Sequence, residues 1–137
     1  MIGIRRLRSG DALDPARIAR NVFDHTLKPD CLEAFLADPG HALLIAEVEG
    51  EVIGQLRALR VRHPDKAPEM MIENLGVTPA WHRRRVATDL VTAARAVAEG
   101  WGAVGVFVLT ETGNGAARAF YRSLGWPESA VRLFDAS

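Results

Sequence analysis

Apolar residues alternate with charged ones at the start of the chain. Ile2, Ile4 and Leu7 predict a short opening strand. "SGDALDPARIARNVFDHTL" (9–27) then predicts a helix, with Asp11 or Asp14 as its cap and Pro15 near its first turn. "DCLEAFLAD" predicts a second, shorter helix, stopped by Asp38-Pro39-Gly40. "HALLIAEVE" and "EVIGQLRALRV" predict two strands joined by a tight turn at Glu49-Gly50-Glu51, an antiparallel hairpin. "VRHPDKAP" is a polar, proline-bearing loop.

The second half follows a different rhythm. "EMMIENLGV" predicts a strand. Apolar residues at Ala87, Leu90, Val91, Ala94, Val97 and Ala98 recur at helical spacing and predict a helix within Trp81–Glu99, stopped at Gly100. "AVGVFVL" is apolar on both faces, as suits a strand buried between layers. Strand, helix, strand in this order implies a right-handed crossover and a parallel pair. "NGAARAFYRSLG" predicts an amphipathic helix with Ala117, Phe120, Tyr121 and Leu124 on one side, and "SAVRLFDA" predicts a closing strand. The class is α/β: a mixed, mostly antiparallel sheet flanked by helices, with one parallel join near its centre.

Composition narrows the field. A chain of 137 residues, 48% of them apolar, suits a single domain with a real core. Lys+Arg and Asp+Glu both total 17, so no global field draws the protein to nucleic acid or membrane. The single cysteine, Cys31, excludes an internal disulfide and fits a reducing cytosol. No stretch has the length and apolarity of a signal peptide or spanning helix. The expected site of action is therefore cytoplasmic. His25, His41 and His63 have no metal-ligand spacing with one another or with Cys31, and no metal site is expected. Cys31 sits among apolar helix residues and suits packing. No nucleophile elbow or Ser-His-Asp order occurs.

One local feature departs from this balance. "HRRRVAT" (82–88) places three consecutive arginines where a helix starts, immediately after a strand. Cations are unfavourable at the positive end of a helix dipole. Free N–H groups there can cradle phosphate, and arginines add bidentate charge. The run therefore points to the collar of an anionic ligand, a diphosphate; the competing reading is a solvated basic loop.

"ENLGVTPAWHRRRVATDLV" followed by "NGAARAFYRSLGW" resembles the GCN5-related N-acetyltransferase superfamily. Its acetyl-CoA motif is Gln or Arg, two residues, Gly, one residue, then Gly or Ala. Here the window is His82-Arg83-Arg84-Arg85-Val86-Ala87: Ala87 matches, His82 replaces Gln or Arg, and Arg85 replaces a glycine. Val77, Pro79 and Leu90 fit the frame around it, and Asn114, Ala117, Phe120-Tyr121 and Gly125-Trp126 fit the second motif. Glycine at position 85 would allow positive φ and close backbone approach. With arginine there, either the loop keeps its path and Arg85 meets the diphosphate from outside, or the loop is distorted and affinity falls. The first outcome is expected, since no helix-breaking residue intrudes. "RRRVATDL" and "VRLFDAS" also resemble stretches of the small gentamicin 3-N-acetyltransferases, but are too short to bring a substrate with them.

The resemblance implies an acetyl-CoA-dependent N-acetyltransferase with a splayed parallel strand pair. Residues 1–68 would form the acceptor side and 69–137 the acetyl-CoA-binding half. It implies a bulge near Gly76, backbone contacts from Leu75, Gly76 and Val77 to the pantetheine arm, and phosphate contacts from His82 through Thr88 (Arg83, Arg84, Arg85, Val86 and Ala87 between). Asn114 and Ala117 would sit beside the cofactor. Tyr121 would be the general acid, and Phe120 would be core. Glu73 would be the base, directly or through water. By strand alternation Glu73 shares a face with Leu75 and Val77, and Asn74 faces the other way. The residues alone leave Glu73 equally readable as a salt-bridged surface glutamate, and Gly76 as packing relief. The acceptor would be a small-molecule or peptide amine, approached from residues 11–40 and the loop around His63 to Pro68, where Asp24, Asp30, Glu33, Asp38 and Asp65 give a mild acidic bias. A homodimer is compatible with the sequence. Two other classes compete: a non-catalytic CoA-binding sensor, which Arg85 favours, and a nucleic-acid module on the arginine triplet, which the balanced charge disfavours.

Overall fold

A computed structural model describes all residues 1–137. Five strands form one sheet in chain order: β1 (Gly3–Arg6), β2 (His41–Val48), β3 (Glu51–Val61), β4 (Glu69–Val77) and β5 (Val106–Val108). Neighbours are antiparallel except β4 and β5, which are parallel. Three helices flank the sheet: α1 (Pro29–Ala37), α2 (Val86–Gly100) and α3 (Gly115–Ser123). The β2–β3 hairpin closes through Glu49 and Gly50, both with positive φ (49° and 80°). A two-residue turn needs that conformation to match the right-handed twist of its strands.

Each sheet face has its own core. Leu56, Ala58, Met70 and Ile72 pack under Leu90, Val91 and Ala94 of α2, with Tyr121 of α3 at the margin. On the other face, Leu43, Ile45 and Val52 pack against Leu7 and Val22, with Leu32, Phe35 and Leu36 of α1 alongside. This explains why β2 and β3 are buried on both faces.

Four local expectations are corrected. Residues 9–27 do not form a long helix. Asp14 caps only a 3₁₀ turn at Pro15–Arg17. The chain then runs extended along the hairpin, where the Ala19 N–H donates to Val52 O at 2.9 Å and Ile18 bridges Val52 in parallel. Sheet hydrogen bonds have displaced helical ones. Second, α2 starts at Val86, after a 3₁₀ turn at Pro79–Trp81 and four non-helical residues. Third, residues 127–137 form no strand, and Leu133 and Phe134 are 89% and 93% exposed. After α3 the chain turns back on the helix, because Glu128 accepts from both Arg118 and Arg122 at 2.8 Å. The parallel pair consequently lies at the sheet edge, and β5 is half-buried rather than enclosed. Fourth, Cys31 is exposed on α1 rather than packed.

Candidate active site

The site begins with a fault in β4. Arg57 opposes Asn74 and Ala58 opposes Ile72, so Glu73 is an extra residue, a β-bulge. The bulge lies three residues before Gly76, where it was expected. Up to Ile72, β4 turns alternate amides to β5. Beyond Ile72 the parallel pairing ends, while β4 runs on to Val77. The register then tells which amides face the gap. The Thr78 N–H donates to Ile53 O, and Gly54 lies opposite Val77. In such an antiparallel pair the two residues turn their own N–H and C=O groups away from each other. Val77, and Leu75 two residues earlier, thus present backbone groups to the side where β5 has departed. Apart from Val77 O, which accepts from a side chain, this strand edge is unpaired and able to accept an extended amide-bearing chain. The bulge also moves Glu73 off the face shared by Leu75 and Val77, which pack against the α2 core while Glu73 is exposed.

Gly76 has a different task. A Cβ there would run into the carbonyl oxygen of Val22. Its missing side chain lets residues 21–22 descend onto β4, so the close approach expected at this glycine comes from the protein's own chain.

The loop before α2 supplies the second half of the site. Arg83 and Arg85 both have positive φ, 61° and 64°. Arg85 therefore keeps the path that glycine would give the loop. For a residue with a side chain this conformation costs about 1–2 kcal/mol. The backbone N–H groups of Arg83, Arg84 and Arg85 find no acceptor in the chain. Val86, Ala87 and Thr88 are the first-turn residues of α2, whose amides no helix can satisfy internally. Arg85, the N-cap, offers no side-chain bond either, forgoing about 1 kcal/mol of capping. The open amides of Arg83 to Arg85 and the first-turn amides that follow, with positive-φ residues among them, form an anion-binding concavity. Arg84 folds over Trp81, its guanidinium carbon 5.2 Å from the ring centroid. Arg83 and Arg85 have no carboxylate partner in the chain. These residues fit a diphosphate.

His82 fastens the arginine loop to β4. Its Nε2 lies 2.8 Å from Val77 O, to which it donates. Relief of the left-handed strain is measurable: Arg85→Gly is expected to raise stability by about 0.5–1 kcal/mol, the strain gain exceeding the added flexibility of the unfolded chain. Thermal unfolding should report a Tm higher by about 2–5 °C.

Tyr121 of α3 is buried, with ring centroids of Phe120 and Trp126 at 5.0 and 5.4 Å. Phe120 itself is partly buried against the same core. Burial pushes the Tyr121 phenol up to about 12, so it remains a protonated donor throughout the neutral range. Nothing in the chain accepts from it. The sign for stability follows: between pH 10 and about 12 the unfolded chain gives up this proton first, so native stability falls as pH rises through that window. Since Tyr121 is the sole tyrosine, alkaline titration of tyrosinate absorbance should place its midpoint near 12 in the native protein and near 10 on unfolding.

Asn114 N-caps α3, its Oδ1 accepting from the Ala117 N–H at 3.1 Å. That fixes the start of the helix carrying Tyr121 and leaves the Asn114 amide nitrogen free. Glu73 is half-exposed, 3.4 Å from the Arg57 Nε. The large cavity over β5, between α2 and α3, has Tyr121 on its wall but includes neither the arginine loop nor residues 75–77. Residues 127–131 of the C-terminal segment line it as well. Gln55 was missed from the sequence: wholly buried, it donates to Val22 O and to Asn74. A polar residue inside an apolar strand run was the available signal.

The open edge of a bulged strand thus lies beside the open amides of the loop before α2. The chain belongs to the acetyltransferase (GNAT) family, whose sequence model matches residues 11–126, and it is an acetyl-CoA-dependent acyltransferase. An uncharacterized N-acetyltransferase of Mycobacterium bovis is 30% identical over 123 residues, 90% of this chain and 76% of that protein. Among solved structures, an aminoglycoside acetyltransferase from an uncultured soil metagenomic sample, in complex with sisomicin, superposes with a TM-score of 0.85 at 20% identity, over 99% of this chain and 96% of that one. The aminoglycoside N-acetyltransferase AAC(6')-Iy in complex with CoA superposes with a TM-score of 0.79 at 23% identity, over 98% of each chain. These two likenesses concern the fold. No helix is long and apolar enough to cross a membrane.

Proposed function

We propose that this protein acetylates a primary amine of a small molecule by direct attack on the thioester. Acetyl-CoA supplies the activated acetyl group. The amides of Arg83 to Thr88, with the Arg83 and Arg85 side chains, would hold its diphosphate. Leu75 and Val77 would pair with the pantetheine arm, with Asn114 and Ala117 beside it. The Leu75 N–H would donate to the carbonyl oxygen as negative charge develops there. Glu73 would accept the proton that the attacking amine loses, directly or through one water, and Tyr121 would donate to the departing sulfur.

The observation that carries this reading is the break in β4–β5 pairing at Ile72, with the amides of Leu75 and Val77 turned into the gap. Direct attack is supported by the position of Cys31, exposed on α1 and apart from that gap. The aminoglycoside acetyltransferases among its structural neighbours make small-molecule amines the first acceptors to test.

The experiment is CoA-thiol release across an amine panel. Acetylation of at least one amine supports the proposal, and release from none of them overturns it. On the best acceptor, Glu73→Gln is expected to lower kcat at least about tenfold and to abolish the acidic limb of the pH–rate profile. Survival of that limb would remove Glu73 as the base.

A further inference from the structure

We infer that Asp24 anchors a second, cationic group of the acceptor, so that the preferred substrates carry at least two amines. This rests on the N-acetyltransferase reading above and specifies its acceptor. A chain of hydrogen bonds crosses the sheet face opposite α2. The Val22 carbonyl accepts from Gln55 Nε2 at 3.1 Å, the same nitrogen donates to Asn74 Oδ1, and Asn74 Nδ2 donates to Asp24 Oδ2 at 3.2 Å. Val22 O can only accept, which settles the direction of the whole chain. Gln55 must turn its NH₂ group toward Val22 and Asn74. Asn74 must offer its oxygen to Gln55 and its NH₂ to residue 24. The far end of the relay is thus a donor that selects a carboxylate there. Gln55 holds this direction although its Oε1 is buried without a partner, an unfavourable arrangement for a polar atom.

Asp24 itself is exposed and forms no ion pair within the chain. Arg57, opposite Asn74 on β3, is paired with Glu73. Asn74, which holds Asp24, lies between the bulge at Glu73 and Leu75, whose amide faces the gap. The segment bearing Asp24 is fastened to the sheet at Ala19 and Val22, so the carboxylate is held over β4 through Asn74. The reacting amine must lose its proton before attack, and a permanent carboxylate partner would oppose that loss. Asp24 is therefore suited to a different, protonated amine of the same molecule.

The test compares a terminal diamine with a monoamine of equal chain length, each with acetyl-CoA. Wild type is expected to favour the diamine in kcat/KM. Asp24→Asn should raise KM for the diamine about tenfold, without a matching fall in kcat, and collapse the diamine-to-monoamine ratio by the same factor. Asn74→Ala, a positioning variant, should shift the same KM, and the double variant should exceed Asp24→Asn alone by little, since both act on one interaction. Equal losses on both acceptors, or an unchanged ratio, would overturn the anchor. Should wild type release no thiol with either amine while acetyl-CoA still raises its Tm, the acceptor reading itself fails. Calorimetry with the diamine alone then decides: binding that Asp24→Asn abolishes upholds the anchor, and equal or absent binding rejects it.

Discussion

Tyr121→Phe is expected to lower kcat about a hundredfold while acetyl-CoA still binds and still raises the melting temperature. The expectation follows from what the hydroxyl does not do in the protein alone. The ring packs between Phe120 and Trp126, and phenylalanine preserves that packing. The hydroxyl donates to no group in the chain, so its removal breaks no native hydrogen bond. Fold stability should therefore be unchanged or slightly improved, because a polar atom leaves a buried environment. An interaction made only as the sulfur departs lowers kcat and kcat/KM together. Thiol-release kinetics beside a thermal-shift titration with acetyl-CoA would separate the effects. Unchanged turnover would remove Tyr121 as the donor, and lost binding would give it a structural role.

The second large effect is on stability. Gly76→Ala should destabilise the protein by about 2–4 kcal/mol and lower Tm by roughly 10 °C. The added carbon meets the backbone oxygen of Val22, and a backbone atom cannot swing aside as a side-chain tip can. The same Val22 carbonyl accepts from buried Gln55, so pushing it away also strips a hydrogen bond inside the core. The displaced segment carries Asp24. Acceptor KM should therefore rise by a larger factor than acetyl-CoA KM, because the arginine loop is anchored independently through His82 and Val77. Denaturant unfolding and two-substrate kinetics would measure both. A loss of less than about 1 kcal/mol would mean that the segment yields and that the contact is loose.

Much of the scaffold was legible in local pattern. β2, β3 and β4 were read as strands from their own segments, Glu49-Gly50 marked the hairpin turn, and the period of Leu90, Val91, Ala94 and Ala98 marked α2. The basic start of α2 was legible for a related reason. Three arginines at a helix start conflict with the dipole, and the amides of Arg83 to Arg85 are open there. Tyr121 was placed by a short motif, and its burial agrees with the inward stripe expected of α3. Residues 9–27 were misread because a helical pattern in isolation competes with hydrogen bonds from a hairpin edge that lies far away in sequence. The closing strand was misread because an alternating pattern expresses itself only where a partner edge exists, and β5 offers three residues.

The sequence by itself determined the order of elements from α1 to α3, the parallel crossover and the basic start of α2, since these depend on side-chain period and neighbouring charges. Only the tertiary structure decided where the strand slips. The bulge at Glu73 arises from the register of β4 against β3, a relation between residues 57 and 74 that no local window contains. That one-residue shift selects which amides face the gap and separates Glu73 from Leu75. The relay from Val22 to Asp24 likewise exists only because folding brings a loop, a strand residue and a bulge together on one face.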